Sequence, residues 1–269
     1  MRYPSLPDPA RVIACLKETS AVDILPRFRS LGEGDVMEKG PDDPVTVADI
    51  ASEARLSRLL PALLPGSVIV AEEAVARDPA LLGRLHEDAP VWLIDPIGGT
   101  KTFMRGEAGF GIYVSLLSKG EVLAGWVHDP VSGETSYAAV GEGAWDDRRR
   151  ISVAESGDFG AMRCYVHPNV YTYEEAATVR VRRSSFAAVV PIGSVGSAFR
   201  ALAAGRVHIG VFASMWPWDH APGVLIHREA GGYSARRDGI AYEPTEKFRS
   251  LLVAPDEDCW RRVDAFLKP

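Results

Sequence analysis

The sequence predicts an α+β protein built of stacked layers of sheet and helix. Two observations carry that prediction. Between Gly111 and Trp145, short β-branched and aromatic runs are separated by Lys119-Gly120, Ser132-Gly133 and Gly141-Glu142, the pattern of an antiparallel meander with tight turns. Beyond residue 150 strand-like and helix-like segments alternate, which calls for helices packed on a second sheet. A chain of 269 residues can bury a large core. The charged stretch at 146–150 divides it into an N-terminal half, 1–146, and a C-terminal half, 147–269, of one compact unit.

The first helix is expected over 9–28, started by Asp8-Pro9 and patterned by Val12, Ile13, Leu16, Val22 and Leu25. A Gly- and Asp-rich loop follows at 31–44 and carries Lys39. Thr46 and Asp49 have capping-box spacing, so a helix runs from 47 to Pro65-Gly66, with Asp49 in its first turn. Residues 67–71 form a strand that leads into Glu72-Glu73, and 77–87 a short helix. The apolar run Val91-Trp92-Leu93-Ile94 is a buried strand that Pro96 should end. In the second half, strands are expected at 162–166, 187–191, 207–212 and 251–254. Helices are expected at 172–182, 195–204 with Gly205 closing it, 221–230 with Asp219 at its N-cap, and 256–267. Trp218 reads as a core residue.

Composition excludes several classes of function. A net charge of −6 leaves no basic footprint for a nucleic acid polymer. No apolar run is long enough to span a bilayer, and Met1-Arg2-Tyr3-Pro4 lacks a signal-peptide apolar region. Cys15, Cys164 and Cys259 are odd in number and far apart, so reduced thiols and a cytoplasmic setting are expected. No H-E-x-x-H or Walker A sequence is present. Arg148-Arg149-Arg150 reads as a solvated turn or an anion patch.

The chemistry concentrates in 91–103. A carboxylate, Asp95, sits at a strand end before Pro96-Ile97-Gly98-Gly99-Thr100-Lys101. Glycines allow a sharp turn and a close approach to something small. Magnesium takes oxygen ligands, commonly one or two carboxylates with water and substrate phosphate. Glu72 and Glu73 also follow a strand, and adjacent carboxylates repel unless a cation or solvent screens them. Beside Asp95 they make a shared metal site. Gly193-Ser194-Val195-Gly196-Ser197-Ala198 opens a helix that either binds an anion or hydroxyl or is simply capped by Ser194.

Residues 91–103 resemble the W-x-[IV]-D-P-[IL]-D-G-T-x-N-F signature of the inositol monophosphatase family of magnesium-dependent, lithium-sensitive phosphatases. Asp43-Pro44-Val45-Thr46-Val47-Ala48-Asp49, Ala71-Glu72-Glu73 and Trp218-Asp219-His220-Ala221-Pro222-Gly223 match further blocks of that family in order, so the likeness spans about 45–232. The resemblance implies a layered α/β/α/β/α sandwich, as in the inositol monophosphatase and fructose-1,6-bisphosphatase fold. It implies Mg2+ held by Glu72, Asp95 and the Ile97 carbonyl, and a second metal leaning on Asp95 and Asp219. Glu72, Thr100 and Asp49 would position the attacking water, Gly98, Gly99 and Thr100 would face the phosphate, and Gly196, Ser197 and Ala198 would line the substrate pocket. Lys39 would be the basic residue of a segment that folds over the site.

The implied activity is hydrolysis of a small phosphorylated metabolite by a homodimer. Inositol-phosphate-like compounds, sugar phosphates, histidinol phosphate and nucleotide 3′-phosphates are the candidates. Three positions depart from the pattern. Gly98 replaces the second aspartate, Thr102 an asparagine, and Phe212 an acidic residue that contacts sugar hydroxyls. Gly98 implies weakened hydrolysis, or alternatively an inactive relative that binds a phosphate ligand or acts in regulation. A Gly98→Asp change is expected to restore turnover in the first case and not in the second.

Overall fold

A computed structural model describes residues 6–166, 181–191, 193–246 and 249–268. Helices α1 (Pro9–Thr19) and α2 (Val47–Leu63) pack on one face of a seven-stranded sheet. Its strands run in the order β3 (Val68–Ala71), β4 (Val91–Gly98), β5 (Gly111–Ser118), β6 (Glu121–His128), β7 (Thr135–Ala139), β8 (Gly143–Asp146), β9 (Arg149–Ile151). Helices α5 (Val195–Ala203) and α6 (Pro217–Glu229) cover the other face. A five-stranded sheet forms the next layer, in the order β11 (Ala188–Val189), β10 (Arg163–Val166), β12 (Ile209–Ala213), β14 (Ser250–Ala254), β13 (Tyr233–Arg236). Helix α7 (Glu257–Leu267) closes the stack. The fold is the expected layered sandwich, with an antiparallel meander in the first sheet and mixed pairing in the second.

Strand periodicity explains the layering. On β4, Trp92 and Ile94 join Leu16, Leu56 and Trp126 in the core under α1 and α2. Val91 and Leu93 point the other way, into a core with Phe199, Leu202 and Val224. Both faces of β4 are thus apolar, as a strand covered on two sides requires. A third core, with Cys164, Val211, Leu252 and Val263, lies under α7.

Several expectations change. The first helix keeps its α form only to Thr19 and continues as a wider π turn over Ser20–Ile24. The presumed loop at 31–44 contains a hairpin of β1 (Val36–Gly40) and β2 (Asp43–Thr46), turned at Asp42 in the left-handed region. Short polar Asp tolerates that conformation, so turn-forming composition hid two strands. Helix α3 (Glu72–Arg77) begins at the glutamate pair itself, and a 3-10 turn, Pro79–His86, replaces the helix expected at 77–87. Pro96 does not end β4; the ladder shifts register between Asp95 and Gly98 and continues, because a bulge releases the proline from pairing. The charged stretch at 146–150 gives Arg149 and Arg150 to edge strand β9, where charge discourages further pairing. Helix α6 starts at Pro217 with Trp216 as N-cap, so Asp219 lies inside its first turn. The helix expected at 172–182 lies outside the described residues but for its last two.

Candidate active site

The site forms where the ends of β3 and β4 meet the N-termini of α2, α5 and α6. Each acidic side chain has a local reason for its place. Thr46 caps α2: its hydroxyl accepts from the Ala48 and Asp49 amides, while Asp49 Oδ2 accepts from the Thr46 amide at 2.8 Å and hydroxyl at 2.5 Å. That reciprocal box fixes the Asp49 rotamer. Its other oxygen, Oδ1, lies 3.4 Å from the Thr100 hydroxyl, which is also 3.1 Å from the Ile97 carbonyl. Thr100 opens the short helix α4 (Thr100–Met104) behind Gly99, whose φ of 91° only glycine adopts readily. Burial pushes the Asp49 carboxyl up to about 6, against the two bonds from Thr46 that favour its ionised form.

Glu72 and Glu73 lie in the first turn of α3, where the helix dipole favours negative charge. Glu73 is buried, and Glu53 Oε2 accepts its backbone N–H at 2.7 Å. Lys39, brought in by the β1–β2 hairpin, donates to Glu72 Oε1 at 2.7 Å and Glu73 Oε1 at 2.9 Å. Burial works to lower the Lys39 pKa, but the charge and hydrogen bonds of the glutamates override it and raise it. Glu73 is pushed up to about 7 by burial and by the charge of Glu72.

Asp95 differs from all of these. It is 1 % exposed, and neither carboxylate oxygen receives a hydrogen bond from a donor among the described residues. Its neighbour is another carboxyl, Asp219, close enough for the two acids to share a proton. Burial, then the charges of Glu72 and Asp219, drive the Asp95 pKa well above the carboxylate range. Asp219 is pushed up to about 7, first by burial and then by Glu72. A buried carboxylate with nothing to accept from is costly unless a cation completes it. The donor set of Asp95, Asp219, Glu72 and the Ile97 carbonyl is all oxygen, which suits a hard divalent cation. Among the described residues no three His, Cys, Asp or Glu side chains stand in ready coordination geometry, and Glu72 is turned toward Lys39.

A cleft of about 880 Å³ opens above this cluster. Gly99, Thr100, Thr102 and Asp219 line it, together with Gly193, Ser194 and Val195. The rest of the lining is Tyr165, Val166, Val189, Val190 and Pro191, with Arg183, Asp43 and the Lys101–Asp42 ion pair. The Thr102 hydroxyl donates to the Gly193 carbonyl at 2.7 Å.

The structure thus brings Asp49, Glu72, Asp95, Ile97, Thr100 and Asp219 together, with Thr100 and Asp219 lining the cleft. It does not put Gly196, Ser197 and Ala198 on the cleft wall. Ser194 caps α5 one step earlier, so Gly196 packs on the Tyr113 ring, Ser197 Oγ donates to Gly109 O at 3.1 Å, and Ala198 is buried. Phe212 stacks on Phe199, centroids 4.5 Å apart, in the core and not in the cleft. Gly98 is not in the left-handed region, so its glycine is not demanded by the turn. A Cβ there would lie 1.8 Å from Cε2 of Tyr113, so space demands it. Tyr113 was missed: it reads as one more strand residue, and its cradle of Gly98 and Gly196 joins positions nearly a hundred residues apart.

The model of the inositol monophosphatase family matches residues 11–261. Over 209 residues the chain is 32% identical to a fructose-1,6-bisphosphatase/inositol-1-monophosphatase of Thermotoga maritima, covering 75% of each chain. Over 198 residues it is 30% identical to Nus factor SuhB of Vibrio cholerae, covering 72% of each. The solved structure of extragenic suppressor protein suhB from Bartonella henselae superposes with a TM-score of 0.84 over 96% of this chain and 97% of that one; at 21% identity this is likeness of fold.

Proposed function

The chain belongs to the inositol monophosphatase family and is a phosphoric monoester hydrolase; we propose that it uses Mg2+ to hydrolyse a small phosphate monoester in the cleft above Asp95. The observation that carries this reading is the Asp95 carboxylate, buried, unpartnered and facing Asp219. Asp95, Glu72 and the Ile97 carbonyl would hold the cation, with Asp219 beside them. When bound, it would neutralise phosphoryl oxygens and acidify a coordinated water.

The chain's own residues do the rest. Lys39 must release Glu72 for that carboxylate to turn into the site. Thr100 has one hydroxyl proton and two acceptors within reach, Asp49 Oδ1 and the Ile97 carbonyl. Donating to either leaves its oxygen lone pairs to accept a hydrogen bond from the attacking water, whose other proton Glu72 can take. Asp49 cannot swing away, because Thr46 holds it. Gly99 and Thr100, which line the cleft, would face the phosphate; Arg183 adds a positive charge to a lining that also holds Asp43 and the Lys101–Asp42 ion pair at 2.9 Å.

Among the lining residues, Tyr165, Val166, Val189, Val190 and Pro191 offer apolar surface to the leaving group. That supports a substrate with a flat or apolar body, as in histidinol phosphate or a nucleotide 3′-phosphate, over a bare inositol or sugar phosphate. We take the protein to work as a cytoplasmic homodimer, for which light scattering on the purified chain is the check. Among the described residues no helix is long and apolar enough to cross a membrane. A second reading, a phosphate-ligand binding or regulatory protein with little turnover, is favoured by glycine at position 98 and by the likeness to Nus factor SuhB.

Phosphate release from a panel of these monoesters, with Mg2+ and with EDTA, tests the function. Metal-dependent release, fastest with the planar substrates, is expected. Binding of a phosphate ester without release would favour the second reading. Neither release nor binding would overturn both.

A further inference from the structure

The cross-strand partner of Asp95 is Tyr113 on β5, and Gly98 pairs with Gly111 after the bulge in β4. Directly opposed residues share a face, so the tyrosine ring projects beside the Asp95 carboxyl. The ring is 1 % exposed and lies in a mould of glycines. A Cβ on Gly98 would sit 1.8 Å from Cε2 and 2.3 Å from Cζ, and a Cβ on Gly196 would sit 2.2 Å from Cε1. A Cβ on Gly111 would be 3.0 Å from Cε1 and 2.6 Å from the His128 carbonyl. The ring therefore fills the space that any side chain at 98 would enter. It is held there at its far end: the hydroxyl lies 2.7 Å from Ser194 Oγ and 3.1 Å from the Gly98 carbonyl. Ser194 Oγ in turn lies 3.1 Å from Ser197 Oγ, so the phenol is anchored to the capped start of α5.

We propose that Gly98 and Tyr113 form a coupled pair in which the phenol ring takes the place of a residue-98 side chain, leaving a site that holds one divalent cation at Glu72, Asp95 and the Ile97 carbonyl and is closed to a second that would lean on position 98. This rests on the metal-site reading above. Tyr113 acts as a positioning residue: it sets which cations fit and holds Ser194 at the cleft wall. A consequence is that Gly98→Asp alone does not repair the site, because the new side chain meets a ring that cannot move aside.

The steric part is tested without metal, by melting temperature in EDTA. Gly98→Ala is the sharpest probe. At a position outside the left-handed region, alanine for glycine ordinarily stabilises through the unfolded chain. The expected result is the opposite sign, a fall of roughly 5–10 °C from overpacking. Gly98→Asp should fall at least as far, and should cost less than half as much when added to Tyr113→Ala. A rise with Gly98→Ala would overturn the proposal.

The metal part is tested by counting bound Mn2+ by titration with electron paramagnetic resonance. The expected counts are one per chain for the parent, Tyr113→Phe and Gly98→Asp, and two for Gly98→Asp/Tyr113→Ala. Loss of Mn2+ from Tyr113→Phe would make the phenol itself a ligand and overturn the proposal. One Mn2+ on the parent with no gain in the double variant would overturn the proposal alone. No Mn2+ on any variant would overturn the metal-site reading and the proposal with it, while the melting data would still report whether the ring and position 98 compete.

Discussion

The carboxylates around the cleft fall into two regions that handle buried charge in different ways. On the hairpin side, Glu72 and Glu73 share the Lys39 ammonium, and Asp49 is held by the Thr46 amide and hydroxyl. On the β4–α6 side, Asp95 and Asp219 face each other beside the charge of Glu72, and both Asp95 oxygens lack a donor among the described residues. The first region is complete as a folded structure. The second is complete only with a proton or a cation between its acids, and that difference locates the chemistry. Protein donors have been spent on orienting Asp49 and Glu73, and none on Asp95.

The comparison breaks most visibly at Asp95. Asp95→Asn should cut metal-dependent phosphate release more than 100-fold, since even groups that only support a metal ligand typically cost 10–100-fold. The same change should raise the melting temperature in EDTA, because an amide removes a buried charge facing Asp219 and can donate to it. Opposite signs in the two assays mark a functional carboxylate. A loss of stability with activity retained would place Asp95 among the structural acids and sink the metal-site reading.

Lys39 tests the other region. Lys39→Met strips Glu72 and Glu73 of their cation while keeping an apolar stem of similar length. Removing one partner of a buried ion pair is strongly destabilising. The Lys39 side chain is 13 % exposed, so the cost in EDTA should be about 3 kcal/mol, the lower end of the 3–5 kcal/mol typical of such a removal. Mg2+ should restore more stability to the variant than to the parent, because the metal no longer competes with an ammonium for Glu72. Denaturant melts of both proteins with and without Mg2+ measure this. Equal metal gains in the two would mean that Lys39 and the cation do not share Glu72.

In both regions the acidic residues were legible in the sequence and the long-range contacts around them were not. Asp49, Glu72, Asp95, Thr100 and Asp219 stand in short blocks, each at a strand end or helix start, and the structure brings them together. The Thr46–Asp49 capping box was readable because its two partners are three residues apart. What lay hidden depends on contacts remote in sequence. The β1–β2 hairpin, and with it the bonds that tie Lys39 to Glu72 and Glu73, was masked by a Gly- and Asp-rich composition that reads as loop. Pro96 inside β4 needed a bulge that only the pairing with β5 reveals. Gly98 looked like a turn residue and a missing ligand, and the reason for its size is a ring fifteen positions away on the next strand. Short-range patterns report capping, periodicity and strand ends; they carry nothing about which side chain fills the space beside a glycine.

Asp49 provides the finest test, because it is buried like Asp95 yet bonded like Glu73. Burial pushes its folded-state pKa up to about 6, above the ordinary value near 3.8. The folded chain therefore binds more protons than the unfolded one between about pH 4 and 6, and stability falls as pH rises through that window. Above pH 6 the difference is complete and the contribution is flat. In EDTA, the stability of the parent relative to Asp49→Asn should decline by roughly 3 kcal/mol from pH 4 to 6.5. Without the two Thr46 bonds, which favour the charged form, the decline would be larger. Chemical melts of the pair across that range would show it. A difference that grows with pH would mean that Thr46 outweighs burial and that Asp49 is ionised throughout. The contrast with Asp95 would then be sharper still: two aspartates equally withdrawn from water, one given every donor it needs, the other left for a cation.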